Sequence, residues 1–406
     1  MERPLDGIKV LDLSRVLAGP WCTQTLADLG ADVWKLEPPG QGDDTRSWMP
    51  PELNGESTYF LCANRSKRSV AIDLKHPDGR ALAQSLADQA DVLVENFRLG
   101  ALDRLGLGYE ELRARNPGLI YCSISGYGRT GPRAAEPGYD FAIQAESGLM
   151  SITGEPDGMP MKLGVAVTDI VTGMNGVQAI LAALLARGRT GRGQHIDLSL
   201  LDGAVAMLAN IATGHLATGQ EPRRFGNAHP TVVPYQLVPS QDGVVALAVG
   251  NDLQFRNMCE QVLKRPDLAA DERFRTMRGR VLHREVLIAE ISAAFATAPT
   301  AHWMDLLRRA GVPAGEVRSV AEALASPEIA ARGLVAEVAD PRHGALRLLR
   351  SPLGLTGTPP RDPAPPPRLG EHTGDILRDV LGLDEARIAE LGAAGAISQN
   401  PLGAAS

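Results

Sequence analysis

Residues 7–37 read GIKVLDLSRVLAGPWCTQTLADLGADVWKLE, and this stretch decides the fold. Gly7–Leu13 is an apolar run of strand length. Pro20–Leu29 has helical spacing, with Pro20 near its start and Gly30 just past its end. Ala31–Glu37 is a second apolar run. A strand, a helix and a strand in this order predict a βαβ unit, and hence parallel pairing. Working outward, Val70–Leu74, Asp91–Glu95 and Leu119–Ser125 are further strand patterns. Helical patterns at Pro77–Gln89 and Tyr109–Arg115 separate them. Two longer helical patterns, Asp169–Arg187 and Leu200–Leu216, flank a strand at His195–Leu198. The expected class is α/β, with a mostly parallel sheet covered by helices on both faces.

A chain of 406 residues exceeds one ordinary core, so at least two domains are expected. The polar segment Gly219–Pro230 reads as a linker. Two short β runs follow, Val232–Val238 and Val244–Val249, joined by the turn Gln241-Asp242-Gly243. Helical patterns come next at Asp252–Leu263, Arg284–Phe295 and Thr300–Ala310. Pro359–Arg368 is proline-rich and predicts an extended strap, followed by helices at Thr373–Leu381 and Asp384–Leu391. The expected division is a large domain over 1–224, a small one over 225–330 and a C-terminal segment over 331–406.

The net charge of −7 disfavours nucleic-acid binding. Six of the 41 basic residues are lysine. The arginine excess suits bidentate recognition of phosphates and carboxylates, although a GC-rich genome produces the same bias. Cys22, Cys62, Cys122 and Cys259 are dispersed, which fits a reducing compartment and no disulfide framework. The first ten residues lack a signal pattern. The apolar stretch Ile170–Ala186 is interrupted by Thr172, Gly173, Asn175, Gly176 and Gln178, so it reads as a buried helix and not as a membrane span. A cytoplasmic protein with no membrane partner is expected.

Gly126-Tyr127-Gly128-Arg129-Thr130-Gly131 is a GxGxxG after a strand, but Pro132, Arg133 and Pro137 follow where a dinucleotide site needs a helix. A nicotinamide dehydrogenase is therefore a poor reading. The eight histidines are scattered, and no metal site is expected. Asp169 stands at the start of an apolar helical run. By spacing alone it is a helix N-cap, and the helix terminus would favour its charged form.

Several segments together resemble the class III CoA-transferases, the CaiB/BaiF-type family that includes formyl-CoA and carnitine CoA-transferases. They are residues 10–20, Leu29–Val33 leading into Lys35-Leu36-Glu37, Gly42–Arg46, Asn64–Ser69, Asp91–Phe97, the Gly126-Tyr127-Gly128 loop with Thr130-Gly131-Pro132, Thr168-Asp169, and Leu369–Thr373. Each is weak alone, but their order along nearly the whole chain is specific. The resemblance implies a Rossmann-like CoA-binding domain, a smaller inserted α+β domain, and an interlocked homodimer. It implies CoA thioesters as substrates, with no permanently bound cofactor.

The resemblance also assigns roles. Asp169 matches the family's nucleophile. Arg15, Val16, Leu17, Ala18, Leu74, Lys75, Asn96, Phe97, Arg98 and Arg104 would hold CoA. Two basic positions of formyl-CoA transferases fall on Pro38 and Pro137, so the adenine end must be held differently. Trp48, Tyr139, Asp140, Gly250 and Asn251 would shape the substrate pocket. Gly250 stands in a loop, Val249–Asp252, with one glycine where the family has a glycine-rich lid, which predicts a more fixed loop. Arg15, Arg46, His229 and Tyr235 are candidates for a second carboxylate. Gly226–Pro230 and Val233–Gln236 resemble the branch acting on dicarboxyl-CoA thioesters such as succinyl-CoA. The α-methylacyl-CoA racemase branch is the nearest alternative. It needs a histidine in a Gly-His-Asp segment, and this chain has Gly138-Tyr139-Asp140. A non-catalytic CoA-binding protein is the alternative from another class.

Overall fold

Strands β1 (Lys9–Asp12), β2 (Asp32–Glu37), β3 (Arg68–Ile72), β4 (Val92–Glu95), β5 (Ile120–Ser125) and β6 (His195–Ser199) pair in parallel, in the order β3-β2-β1-β4-β5-β6. A last strand, β7 (Ile397–Ser398), adds antiparallel to β3 at the edge. This computed structural model describes residues 2–400. The chain is mixed α/β with one large, parallel-dominated sheet, and it divides into two units. The first comprises Met1–Leu149, Lys162–Leu216 and Glu328–Ser406; the second comprises Met150–Met161 and Ala217–Pro327.

In the first unit, period-2 alternation sends β-strand side chains to two cores. Leu11, Trp34, Leu36, Val70 and Leu93 face one core, which the helices Pro77–Gln89 and Thr373–Leu381 close. Val10, Val33, Val92, Ile120 and Cys122 face the other, closed by α1 (Ala18–Asp28). Burial on both faces explains why these strands read as unbroken apolar runs. Two short helices matter for the site, α2 (Thr58–Ala63) and α3 (Asp140–Glu146). Sequence patterns missed both.

Helix α4 (Val167–Thr190) is long and apolar enough to cross a membrane by length and composition. It lies against α1 through two glycines. A Cβ at Gly173 would stand 2.6 Å from the Ala18 carbonyl oxygen, and one at Gly176 would stand 3.0 Å from Cys22 Sγ. Gly173→Ala is therefore expected to cost about 2 kcal/mol through overpacking. Urea unfolding should show a lower midpoint with an unchanged slope.

Leu200–Leu216 was expected as one helix. It is two, Leu200–Ala206 and Ala209–Thr218, because Ala209 takes a left-handed conformation at φ 43°. The proline strap forms no regular element, and Ser66 exchanges backbone and side-chain hydrogen bonds with Ala364 within it.

The second unit contains the antiparallel strands Tyr235–Pro239, Val244–Ala248 and Ala314–Glu316. Its core includes Phe255, Phe274, Phe295 and Trp303. The fully buried Arg280 guanidinium donates to the Val233 and Phe274 carbonyls and to Asp252, so its burial leaves no unpaired charge.

Candidate functional site

The sheet order reverses direction between β1 and β4, and in open α/β sheets ligands bind at such a switch point, beyond the carboxyl ends of the strands. The loops that leave β1 and β4 there carry most of the CoA candidates. They are tied together reciprocally: Arg15 N donates to Asn96 Oδ1 at 2.9 Å, and Asn96 Nδ2 donates to the Arg15 carbonyl at 2.7 Å. The Arg15 guanidinium lies 5.3 Å from the Phe97 ring centroid and meets Asp44 at 3.3 Å. Its Nε is buried without a partner. Val16 has φ 70°, a costly conformation for a β-branched residue, and strain of this kind gathers at functional loops. Leu17 and Ala18 are buried as α1 begins, and Leu74 packs against the core. Lys75, Arg98 and Arg104 are exposed on the loops after β3 and β4, and none forms an ion pair among the described residues. Free cations at this edge suit phosphates.

Beneath these loops lies a buried network of charges. Lys67 Nζ meets Asp12 at 3.0 Å and also donates to the Pro20 carbonyl and Asn64 Oδ1. Lys35 Nζ meets Asp43 at 2.9 Å. Burial alone would raise the Asp43 carboxyl, yet Lys35 holds it down at about 2. Asp43 in turn accepts from Val16 N at 3.3 Å, which links the network to the strained loop. Arg46 was a candidate for a second substrate carboxylate, and the structure removes it. Its Nε and Nη2 are spent on the buried Glu37 at 2.7 and 2.8 Å, and its face covers Phe60 at 3.7 Å.

Asp169 is the third residue of α4, and Ala166 occupies the N-cap position. The N-cap expectation for Asp169 is therefore corrected. Capping is done from α3: Asp140 Oδ1 accepts from Thr168 N at 2.9 Å and Thr168 Oγ1 at 2.8 Å, and Gln144 holds the other Asp140 oxygen. The GxGxxG loop serves this arrangement. Its Gly126 crosses Gly138 so closely that a Cβ there would stand 2.5 Å from Gly138 Cα. The Asp169 carboxylate, spared from capping, makes no hydrogen bond to any described residue. Burial, and then the negative charge of Asp140, push its pKa up to about 7. The helix terminus was expected to favour the charged form; these two effects outweigh it.

Tyr59 on α2 also senses Asp169: burial first and the Asp169 charge second push its phenol up to about 12. Trp48 stacks edge-on against Tyr59, with centroids 5.0 Å apart. The structure thus adds Tyr59 to the neighbourhood of Asp169. Its sequence signal was absent, since no motif spacing relates residues 59 and 169. Tyr139 is 62% exposed at the N-cap of α3.

The remaining candidates lie in the second unit. His229 and Tyr235 have ring centroids 5.4 Å apart. Asn251 caps the helix Asp252–Asn257 by accepting from Gln254 N, while the Gln254 side chain accepts from Gly250 N at 2.8 Å. The Gly250 N–H is thereby engaged within its own loop.

A profile of the CoA-transferase family III matches residues 5–373. The chain is 48% identical to a succinate–glutarate CoA-transferase of Agrobacterium fabrum, covering 93% of this chain and 96% of that protein. It is 44% identical to a succinyl-CoA:glutarate CoA-transferase of Mus musculus, covering 98% and 91%. Among solved structures, a CaiB/BaiF family protein from Brucella suis aligns with a TM-score of 0.83 at 45% identity, covering 94% of this chain and all of that one. A switch-point loop pair edged by free cations and an uncommitted carboxylate at a helix start accord with these likenesses: the chain belongs to the CoA-transferase family III and is an enzyme that transfers CoA between an acyl-CoA and a carboxylate.

Proposed function

We propose that the protein moves CoA from succinyl-CoA or another dicarboxyl-CoA to a free carboxylic acid through the side chain of Asp169. The observation that carries this is the Asp169 carboxylate itself, half-buried, free of hydrogen bonds to described residues and raised to about 7. A carboxylate held at this value is ionised in half the molecules at neutral pH, and its basicity makes it a stronger nucleophile than an ordinary aspartate.

The carboxylate attacks the thioester carbonyl and expels CoA thiolate, leaving a mixed anhydride. The thiolate then attacks the Asp169 carbonyl, releasing the donor acid and leaving an aspartyl-CoA thioester. The acceptor carboxylate attacks that thioester, gives a second anhydride and frees the thiolate. The thiolate finally attacks the acceptor's carbonyl, forming the new acyl-CoA and restoring Asp169. Every step exchanges one acyl bond for another, so no external energy source enters.

The loops around Arg15–Ala18 and Asn96–Arg98, with Leu74, Lys75 and Arg104, form a Rossmann-like CoA site. Trp48, Tyr139 and Asp140 border the acid. The dicarboxylate preference is supported by the two relatives named for succinate and glutarate. An interlocked homodimer in the cytoplasm completes the reading. The apolar face of α4 that bears Met174 and Leu185, 50% and 73% exposed, suits cover by a second copy.

Incubation with succinyl-CoA and a panel of acids, followed by mass spectrometry, tests this. New dicarboxyl-CoA thioesters and a CoA adduct on the Asp169 peptide are expected. Exchange confined to monocarboxylates would sink the dicarboxylate preference.

A further inference from the structure

Asn96, Phe97 and Arg98 follow β4 in no regular element, so their backbone groups need partners from outside the loop. Glu95, the last residue of β4, supplies one. Its carboxylate is buried, and one oxygen accepts from the Phe97 N–H at 2.7 Å. The other oxygen meets Arg129 Nη1 at 3.3 Å. Arg129 Nη2 stands 3.9 Å from Asp103, the chain neighbour of Arg104. One guanidinium thus lies between the residue that anchors the start of this loop and a residue at its far end. Burial raises the Glu95 carboxyl, while Ser123, the Phe97 N–H and Arg129 pull the other way and favour its charged form.

Arg129 belongs to the GxGxxG loop, which lacks the helix that a dinucleotide site needs. The backbone of that loop is itself fixed. The Arg129 N–H is shared by both Asp197 oxygens at 3.3 and 3.1 Å, and the Gly128 N–H donates to Ser125 Oγ at 3.0 Å. The same loop presses Gly126 against Gly138, shortly before the Asp140 that caps α4 beside Asp169. It therefore meets the loop after β4 through Arg129 and the surroundings of Asp169 through Gly126. We propose that Arg129, paired with Glu95, is a positioning residue that holds the loop from Asn96 to Arg104 in place for the phosphates of CoA. This rests on the CoA-site reading above, in which Arg98 and Arg104 meet the phosphates. Arg129 does not meet them itself, because its charge is committed to Glu95 and Asp103.

The test compares succinyl-CoA with succinyl-pantetheine, a donor that lacks the nucleotide and its phosphates. Arg129→Gln removes the guanidinium, and Glu95→Gln removes the charge that Arg129 and the Phe97 N–H both meet. Each is expected to raise the KM for succinyl-CoA about tenfold with kcat little changed, and to leave kcat/KM for succinyl-pantetheine as in the wild type. A variant that merely folds poorly would lose both donors alike, and that result overturns the proposal, as does an unchanged KM in either variant. Glu95→Gln also separates positioning from direct binding. Were Arg129 a phosphate ligand, releasing it from Glu95 would lower the KM for succinyl-CoA, which again overturns the proposal. Calorimetric titration with free CoA reads the same effects without turnover. Weaker CoA binding in the double variant Lys75→Gln with Arg104→Gln, but wild-type affinity in Glu95→Gln and Arg129→Gln, removes the positioning pair alone. Unchanged affinity in that double variant removes the CoA-site reading, and the pair with it.

Discussion

Asp169→Asn is expected to lower kcat for CoA exchange by roughly a thousandfold or more, as loss of a covalent nucleophile does, and to stabilise the fold above neutral pH. Exchange kinetics followed by thioester mass check the first effect; full retention of activity would remove Asp169 as nucleophile. The second effect follows from the carboxyl's value of about 7 against an ordinary 3.8. A carboxyl raised in the folded state contributes stability that is fully present below about pH 4 and is lost as pH rises through 7. Asparagine does not titrate. The variant should therefore unfold like the wild type at pH 4 and more reluctantly at pH 8. Because Asp169 is only half-buried, solvent screening leaves a gain on the order of 1 kcal/mol. Urea melts at the two pH values measure it, and a gap that does not change with pH would show that burial and Asp140 do not strain the carboxylate. In the wild type, kcat/KM should fall about tenfold per pH unit below 7, as the ionised fraction falls.

Lys67→Met is expected to cost about 3–5 kcal/mol, a larger loss of stability than Gly173→Ala causes. Lys67 is fully enclosed, and its removal leaves the buried Asp12 carboxylate without its ion-pair partner, with the Lys35 charge and the Ser14 and Thr23 hydrogen bonds remaining. It also frees the Asn64 side chain and the Pro20 carbonyl at the start of α1. Thermal and urea unfolding would show the loss. The double variant Asp12→Leu with Lys67→Met should recover a large part of it, because no unpaired charge then remains inside. A double variant no better than the single would mean that packing around Lys67, and not the orphaned charge, carries the cost. Activity should fall in Lys67→Met even where it folds. Asp12 accepts from Ser14 N, and Ser14 opens the loop that carries Arg15 and Val16.

Much of the fold was legible because it depends on local period. Apolar runs between residues 7 and 125 became parallel strands, and the patterns Pro77–Gln89, Tyr109–Arg115, Arg284–Phe295 and Thr373–Leu381 became helices with those bounds. These segments bury continuous faces, and burial writes a period into the chain. Not every short element was legible. The hairpin Val335–Asp340 with Gly344–Leu349 meets Leu61 through Leu346 and Leu348, a contact between distant parts of the chain that leaves little local trace.

The sequence by itself determined the α/β class, the family and Asp169 as the residue to test. It did so through periodicity and through an ordered set of short motifs, both of which are properties of the chain. Only the tertiary structure decided which charges are free to act. Arg46 and Lys75 look alike in the sequence, yet Arg46 is spent on buried Glu37 while Lys75 stays open. Asp12 finds Lys67 55 residues away, and Asp140 reaches Thr168 across 28 residues to spare Asp169 from capping. The physical reason is that a charge's state depends on what stands within a few ångströms of it, and folding, not spacing along the chain, chooses those neighbours.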